Sequence, residues 1–196
     1  LAARERGVTA NIYRPTLVGW DDATGRYNPR EAFVRLVSTC VATRCAPDAD
    51  FVLPITPVRY VADRIVAVAA ERGAVNGTFH PTTESPVGFR QVVAMLRAAG
   101  HTIEEVSWET FRARAAQQAS ATGFAAFGKV FPEALSPAGT SYIELLLPER
   151  AARFTASRSR ALLPAAPPCP APTAASLEAL VRQIERDGLL RTTEKT

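Results

Sequence analysis

Few side chains in this 196-residue chain stand at spacings that chemistry needs. Glu104 and Glu105 form the obvious carboxylate pair. Acid–base work needs both groups at one reacting bond, whereas consecutive strand residues point to opposite faces, so the pair reads as a solvated edge. Cys40 and Cys45 are separated by four residues in an apolar stretch that reads as helical, and Cys169 is remote. No nearby His or second Cys pair completes a zinc site, so the three cysteines read as thiols in a reducing compartment. His80 and His101 lie far apart and read as loop or cap residues. The sequence has no Gly-x-Gly-x-x-Gly turn, P-loop, Gly-x-Ser-x-Gly or Tyr-x-x-x-Lys, so no complete active site is spelled out. What remains is a strand running into a loop at Arg14-Pro15-Thr16-Leu17. The carboxyl end of a strand is where open α/β sheets bind ligands; a plain strand terminator is the competing reading.

The elements that position this loop follow from local pattern. Ala2 to Arg6 reads as the end of a polar helix stopped by Gly7, which enters the left-handed conformation without side-chain cost. Val8 to Tyr13 reads as a strand, ended by Pro15 because Pro has no N–H to donate. Helix, glycine stop and strand make the second half of a β-α-β crossover, so the chain is expected to begin in mid-unit. A polar loop, Thr16 to Pro29, leads to a helix that Asn28 should cap and Pro29 should open. That helix carries an apolar stripe of Ala32, Phe33, Leu36, Val37, Cys40 and Val41 to about Cys45.

Phe51-Val52-Leu53 reads as a short strand. Thr56 is expected to cap a second helix with Pro57 in its first turn; Val58, Val61, Ile65 and Val68 should be buried while Arg59, Asp63, Arg64 and Glu71 stay wet. Gly73 should end it. Gly77 to Pro81 is a further strand. Ser85 and Pro86 should start a third helix striped by Phe89, Val92, Val93 and Leu96 and closed by Gly100. Thr102 to Val106 is a strand, followed by a helix from Trp108 capped by Ser107. Residues 1–118 thus read as the last strands and helices of an α/β domain with part of a second subdomain, and 119–164 as a mostly helical cap. Residues 165–172 read as a Pro-rich extended tether, and 173–196 as a final helix capped by Thr173, with Leu189-Leu190 folding back.

Composition excludes several classes. The chain is 47% hydrophobic and 21% charged with a net charge of +4, typical of a globular domain. Basic runs interleaved with aromatics, as nucleic-acid binders carry, are absent. No run of about 18 apolar residues offers a membrane span, and Leu1 does not open a signal peptide; a cytoplasmic location is expected.

The stretch Arg6 to Pro15, then Thr24-Gly25-Arg26-Tyr27-Asn28, resembles the second half of an extended short-chain dehydrogenase/reductase. More closely, it is similar to the thioester reductase domains that end nonribosomal peptide synthetases, polyketide synthases and carboxylic acid reductases. Pro54 to Ala62 resembles that family's Pro-Val-Asp-Tyr-Val-Ala segment, with Arg59 in place of the usual acid. Gly77 to Pro81 resembles its next strand. Phe154 to Arg158, Pro168-Cys169-Pro170 and Leu177 to Leu190 are similar to its C-terminal signature. The resemblance implies the C-terminal part of an extended Rossmann-like α/β fold with a helical substrate subdomain. It also implies NADPH-dependent reductive release of an acyl thioester from the phosphopantetheine of a carrier protein.

On that resemblance, Arg14, Pro15, Thr16 and Leu17 would pack beside the nicotinamide, and Thr24, Gly25, Arg26 and Asn28 would line the acyl-pantetheine entrance. The basic set Arg150, Arg153, Arg158 and Arg160 would meet an acidic carrier protein. The family's catalytic Ser or Thr, Tyr and Lys, and its Gly-rich turn, would lie upstream of Leu1 in a missing N-terminal half. No catalytic residue or metal ligand is therefore assigned within the chain, and the fragment alone is expected to be inactive. Another extended reductase, such as a sugar epimerase/dehydratase or fatty acyl-CoA reductase, and a non-catalytic carrier-docking module are the alternatives.

Overall fold

The computed structural model describes residues 2–71, 76–122 and 154–188. A short helix α1 (Ala2–Glu5) leads through Gly7, at φ 76°, into strand β1 (Ile12–Tyr13). The strand is shorter than the expected Val8 to Tyr13 because groups outside the ladder take the preceding backbone. Val8 N–H returns to the Ala3 carbonyl, and Ala10 N–H donates to Asn76 Oδ1. The Arg4 guanidinium holds the Ala10 carbonyl. β1 pairs in parallel with β6 (Thr78–Phe79), Ile12 opposite Thr78 and Tyr13 opposite Phe79.

The loop expected from Thr16 contains a second strand, β2 (Leu17–Val18), parallel to β5 (Ile55–Thr56). Helix α2 (Ala32–Thr43) follows, starting later than expected. Asn28 does not cap it; its side chain accepts Arg30 N–H in a preceding turn, and Glu31 occupies the helix N-cap. The helix buries Phe33, Leu36, Val37 and Cys40, then stops at Arg44 in the left-handed conformation, φ 53°. Cys45 consequently lies in β3 (Cys45–Pro47), parallel to β8 (Glu104–Val106), and shares no helix with Cys40. The fourth pair is antiparallel, β4 (Val52–Leu53) with β7 (Val87–Gly88).

Helix α3 (Val58–Ala70) begins after Pro57 and buries Val61, Arg64 and Val68. Several assignments change here, and Ile65, expected to be buried, is half-buried. Thr56 is no cap but a fully buried strand residue, and Arg64, expected in solvent, is 6% exposed. Its guanidinium lies 4.8 Å from the Tyr60 ring centroid and donates to the Pro167 carbonyl. Val58 and Val66 are exposed instead. Gly73 lies outside the described residues.

Helix α4 (Phe89–Ala98) starts from Gly88, not from Ser85-Pro86, because Val87-Gly88 first joins the ladder with β4. Its stripe of Phe89, Val92, Val93 and Leu96 is buried, and Gly100 ends it at φ 94°. Helix α5 (Trp108–Thr122) is capped by Ser107, whose hydroxyl accepts Thr110 N–H. Helix α6 (Ser157–Leu162) and helix α7 (Ala174–Arg186) complete the described chain. Thr173 and Ser176 form a reciprocal capping box at the start of α7, satisfying two N–H groups that the helix cannot.

The core gathers Trp20, Phe33, Leu36, Phe51, Ile55 and Phe89 with Phe111, Leu177, Leu180 and Ile184, so α2, α4, α5 and α7 share one apolar centre with the β2–β5, β3–β8 and β4–β7 pairs. A smaller cluster joins Val68 and Phe79 to Tyr13, Leu162 and Leu163. Most of the expected helical cap, the Leu189-Leu190 fold-back, Arg150 and Arg153 lie outside the described residues.

Candidate functional site

β1 ends against its partner at Arg14, whose N–H donates to the Phe79 carbonyl at 2.9 Å; Pro15 then offers no donor. Arg14 and Pro15 are exposed, at the carboxyl end of the parallel β1–β6 pair. Thr16 and Leu17 differ. Leu17 opens β2 and packs against the main core. The Thr16 hydroxyl sits 3.0 Å from that of Thr56 and 2.8 Å from that of Thr82. Thr56 Oγ1 also accepts Thr83 N–H at 3.1 Å. The stretch therefore divides: Arg14 and Pro15 present an outward edge, while Thr16 and Leu17 anchor it from behind. Arg14 and Pro15, expected beside a nicotinamide, are thus the solvent-facing members of the stretch. The described residues supply no Gly-rich cradle for a diphosphate.

The Thr24–Asn28 loop is closed by its own bonds. Asp21 Oδ1 accepts both the Thr24 hydroxyl, 2.7 Å, and the Thr24 N–H, 2.8 Å. These bonds, the hydroxyl's first, hold the Asp21 carboxyl below the usual carboxylate range. Gly25 is buried at φ 72°, and a Cβ there would lie 2.2 Å from the Ala179 carbonyl oxygen. Only glycine allows the loop to touch the α7 backbone this closely. Burial raises the Tyr27 phenol strongly, and a hydrogen bond to Asp187 adds to the effect. Thr24, Arg26 and Asn28 remain exposed at the surface of this loop.

A concavity lies beside this loop. A pocket of about 120 Å³ opens between Trp20, Ile55 and Pro57 on one wall and Pro170, Pro172 and Ser176 on the other. Trp20 and Pro57 closely follow β2 and β5, so the pocket also stands at the carboxyl end of a parallel pair. Its second wall is the segment expected to be a tether, which here lies against the domain. Cys169 in that segment is half-buried, and burial pushes its thiol up to about 11. Cys40 and Cys45 are buried free thiols.

Sequence reasoning missed a cluster at the end of β6. His80 Nδ1 is 3.2 Å from the Arg14 carbonyl, and the His80 ring stacks on Phe154 with centroids 5.8 Å apart. Glu84 accepts Ala156 N–H and both terminal nitrogens of Arg160. Arg158 lies over Phe79, 5.4 Å from the ring centroid. Of the basic set expected to meet a carrier protein, Arg160 is thus already paired within the chain. A sequence cue existed: both β1 and β6 end in a basic residue followed by proline, Arg14-Pro15 and His80-Pro81. Glu104 and Glu105 pair outward with Arg114 and Arg97, consistent with a solvated edge. Among the described residues no group of three or more His, Cys, Asp or Glu converges as metal ligands would.

No protein-family model matches the sequence. The linear gramicidin synthase of Brevibacillus parabrevis contains a stretch 24% identical over 143 residues, covering 70% of this chain and 3% of that protein. Among solved structures, the terminal R domain of the myxalamid polyketide–nonribosomal peptide pathway superposes with a TM-score of 0.78 at 21% identity, over 97% of this chain and 47% of that one. A thiolation-reductase di-domain from an archaeal nonribosomal peptide synthetase superposes with a TM-score of 0.66 at 18% identity, over 97% of this chain and 39% of that one. The chain therefore spans less than half the length of these structures. Its α/β architecture, with three parallel strand pairs among the described residues, is the fold of the corresponding part of these terminal reductase structures.

Proposed function

We propose that the chain is the C-terminal portion of an NADPH-dependent thioester reductase domain acting on a carrier-protein-bound acyl or peptidyl group. The observation that carries this reading is the superposition of 97% of the chain on a terminal R domain. In the proposed reaction the thioester carbonyl carbon accepts hydride from the nicotinamide and its oxygen accepts a proton. The C–S bond then breaks, and an aldehyde and the pantetheine thiol leave. A second hydride would give the alcohol. Such catalysis rests on orientation and on donors aimed at the developing oxyanion.

In this reading Arg14 and Pro15 form the edge facing the nicotinamide, with Thr16 and Leu17 as its support. Thr24, Gly25, Arg26 and Asn28 border the acyl-pantetheine entrance. The pocket beside Trp20 and Pro172 gives that entrance an apolar wall. A carrier protein as partner is supported by the thiolation-reductase di-domain among the structural neighbours. The proton donors and the diphosphate-binding turn would come from an N-terminal half upstream of Leu1. Among the described residues no helix is long and apolar enough to cross a membrane; a cytoplasmic setting is part of the proposal.

Titrating NADPH against the 196-residue chain alone, and against the chain extended through its upstream half, tests the division of the site. Tight binding is expected only of the extended protein. Tight binding by the 196-residue chain would refute the division.

A further inference from the structure

The outward edge at Arg14-Pro15 is held by something neither strand pairing nor the threonine cluster supplies. The Arg14 N–H is bound to Phe79, but its carbonyl points to the His80 ring, whose Nδ1 lies 3.2 Å away. A carbonyl only accepts, so Nδ1 must carry the proton, and this bond selects that tautomer. The ring plane is set independently by the stack on Phe154, 5.8 Å away and tilted by 26°. Phe154 is itself 45% exposed, so the stack is not a by-product of core packing. Phe154 and the helix α6 that follows are fastened to the β6 end by the Glu84 bonds to Ala156 and Arg160. One continuous set of contacts thus runs from Arg14 through His80 and Phe154 to α6.

We propose that His80 is a positioning residue for the cofactor: its Nδ1–H holds the Arg14 carbonyl, and through it the Arg14–Pro15 turn, in register for the nicotinamide. Phe154 fixes the imidazole that makes this bond. The inference rests on the reading of Arg14-Pro15 as the cofactor edge. His80 touches neither cofactor nor substrate in this account, and its effect passes through the backbone it holds.

The test uses the chain extended through its upstream half, with NADPH and a carrier-bound acyl thioester. His80→Gln places its amide where Nε2 was and withdraws the donor from Arg14, whereas His80→Asn places a donor near the Nδ1 position. His80→Gln is expected to raise KM for NADPH about 5- to 10-fold, the value of one net hydrogen bond, with kcat at saturating cofactor unchanged. His80→Asn should restore KM toward the wild-type value. Phe154→Leu, which leaves His80 in place but frees its ring, should raise KM in the same direction.

Hydrogen exchange at the Thr16 and Leu17 amides gives a second reading that needs no turnover, and should quicken in His80→Gln but not in His80→Asn. Normal NADPH use by the wild type, with His80→Gln matching it in KM and in exchange, would overturn the role of His80 alone. Equal defects in the Gln and Asn variants, or a fall in kcat at constant KM, would also overturn it. A wild-type protein indifferent to NADPH would overturn the underlying reading, and the cofactor role with it.

Discussion

The indole Nε1 of Trp20 donates to the main-chain carbonyl of Ser176 at 2.7 Å, joining residues 156 positions apart. Trp20 is 3% exposed and stacks on Phe33, so the approach to the Thr24–Asn28 loop and the first turn of α7 are fastened from inside the core. Trp20→Phe keeps an aromatic ring but removes the donor and part of the volume. It is expected to cost about 1–2 kcal/mol in urea denaturation, with faster hydrogen exchange in the first turn of α7.

Gly25 makes the second fastening. Gly25→Ala adds a Cβ that would meet the Ala179 carbonyl oxygen at 2.2 Å, at a φ of 72° that side chains resist. A loss of at least about 2 kcal/mol is expected. Alanine at Gly88, where nothing lies within 4 Å of the added carbon, is the control for glycine replacement in general.

The Pro-rich segment is held by Arg64. With Arg64→Ala the Pro167 carbonyl loses its donor and Tyr60 its cationic neighbour. Exchange at the Ala166, Cys169 and Ala171 amides is expected to accelerate about 10-fold, equivalent to about 1.4 kcal/mol of local opening. Unchanged exchange would show that the segment is held by apolar contact alone.

Stability should fall at both ends of the pH scale, for different groups. Burial raises the Cys169 thiol to about 11, and the Tyr27 phenol is also raised. Their contributions are complete below the unfolded values, about 8.5 and 10, and are lost as pH climbs through the folded values. The urea midpoint should decline above about pH 9, and Cys169→Ala should flatten part of that decline. Asp21 runs the other way, because Thr24 lowers its folded value. Its contribution is present above about pH 4 and is lost as pH falls below that. Asp21→Asn should remove that part of the acid slope.

The helices are largely legible in the sequence because their apolar stripes recur at helical spacing: the buried faces of α2, α4 and α7 carry the residues that the pattern selects. The strands are less so. β2, β5 and β7 are two residues long, too short for alternation to register. Thr56 and Ser85-Pro86 resemble helix starts, since side-chain capping is a local pattern. What places them elsewhere, the pairing of β2 with β5 and of β4 with β7, is not local. Arg64 is misplaced by the pattern for a related reason: its carbonyl partner lies 103 residues away. At the candidate site, the exposed edge of Arg14 and Pro15 is readable from strand and proline. The inward turn of Thr16 and the grip of His80 on Arg14 depend on contacts 40 to 66 residues apart.

In the proposed function this fold serves hydride transfer to a thioester. The direct measurement follows NADPH absorbance in the extended protein supplied with a carrier-bound acyl thioester or, separately, with a nucleotide sugar. Thioester-dependent NADPH loss is expected, matched by aldehyde or by half as much alcohol. Turnover of the nucleotide sugar with none of the thioester would contradict it.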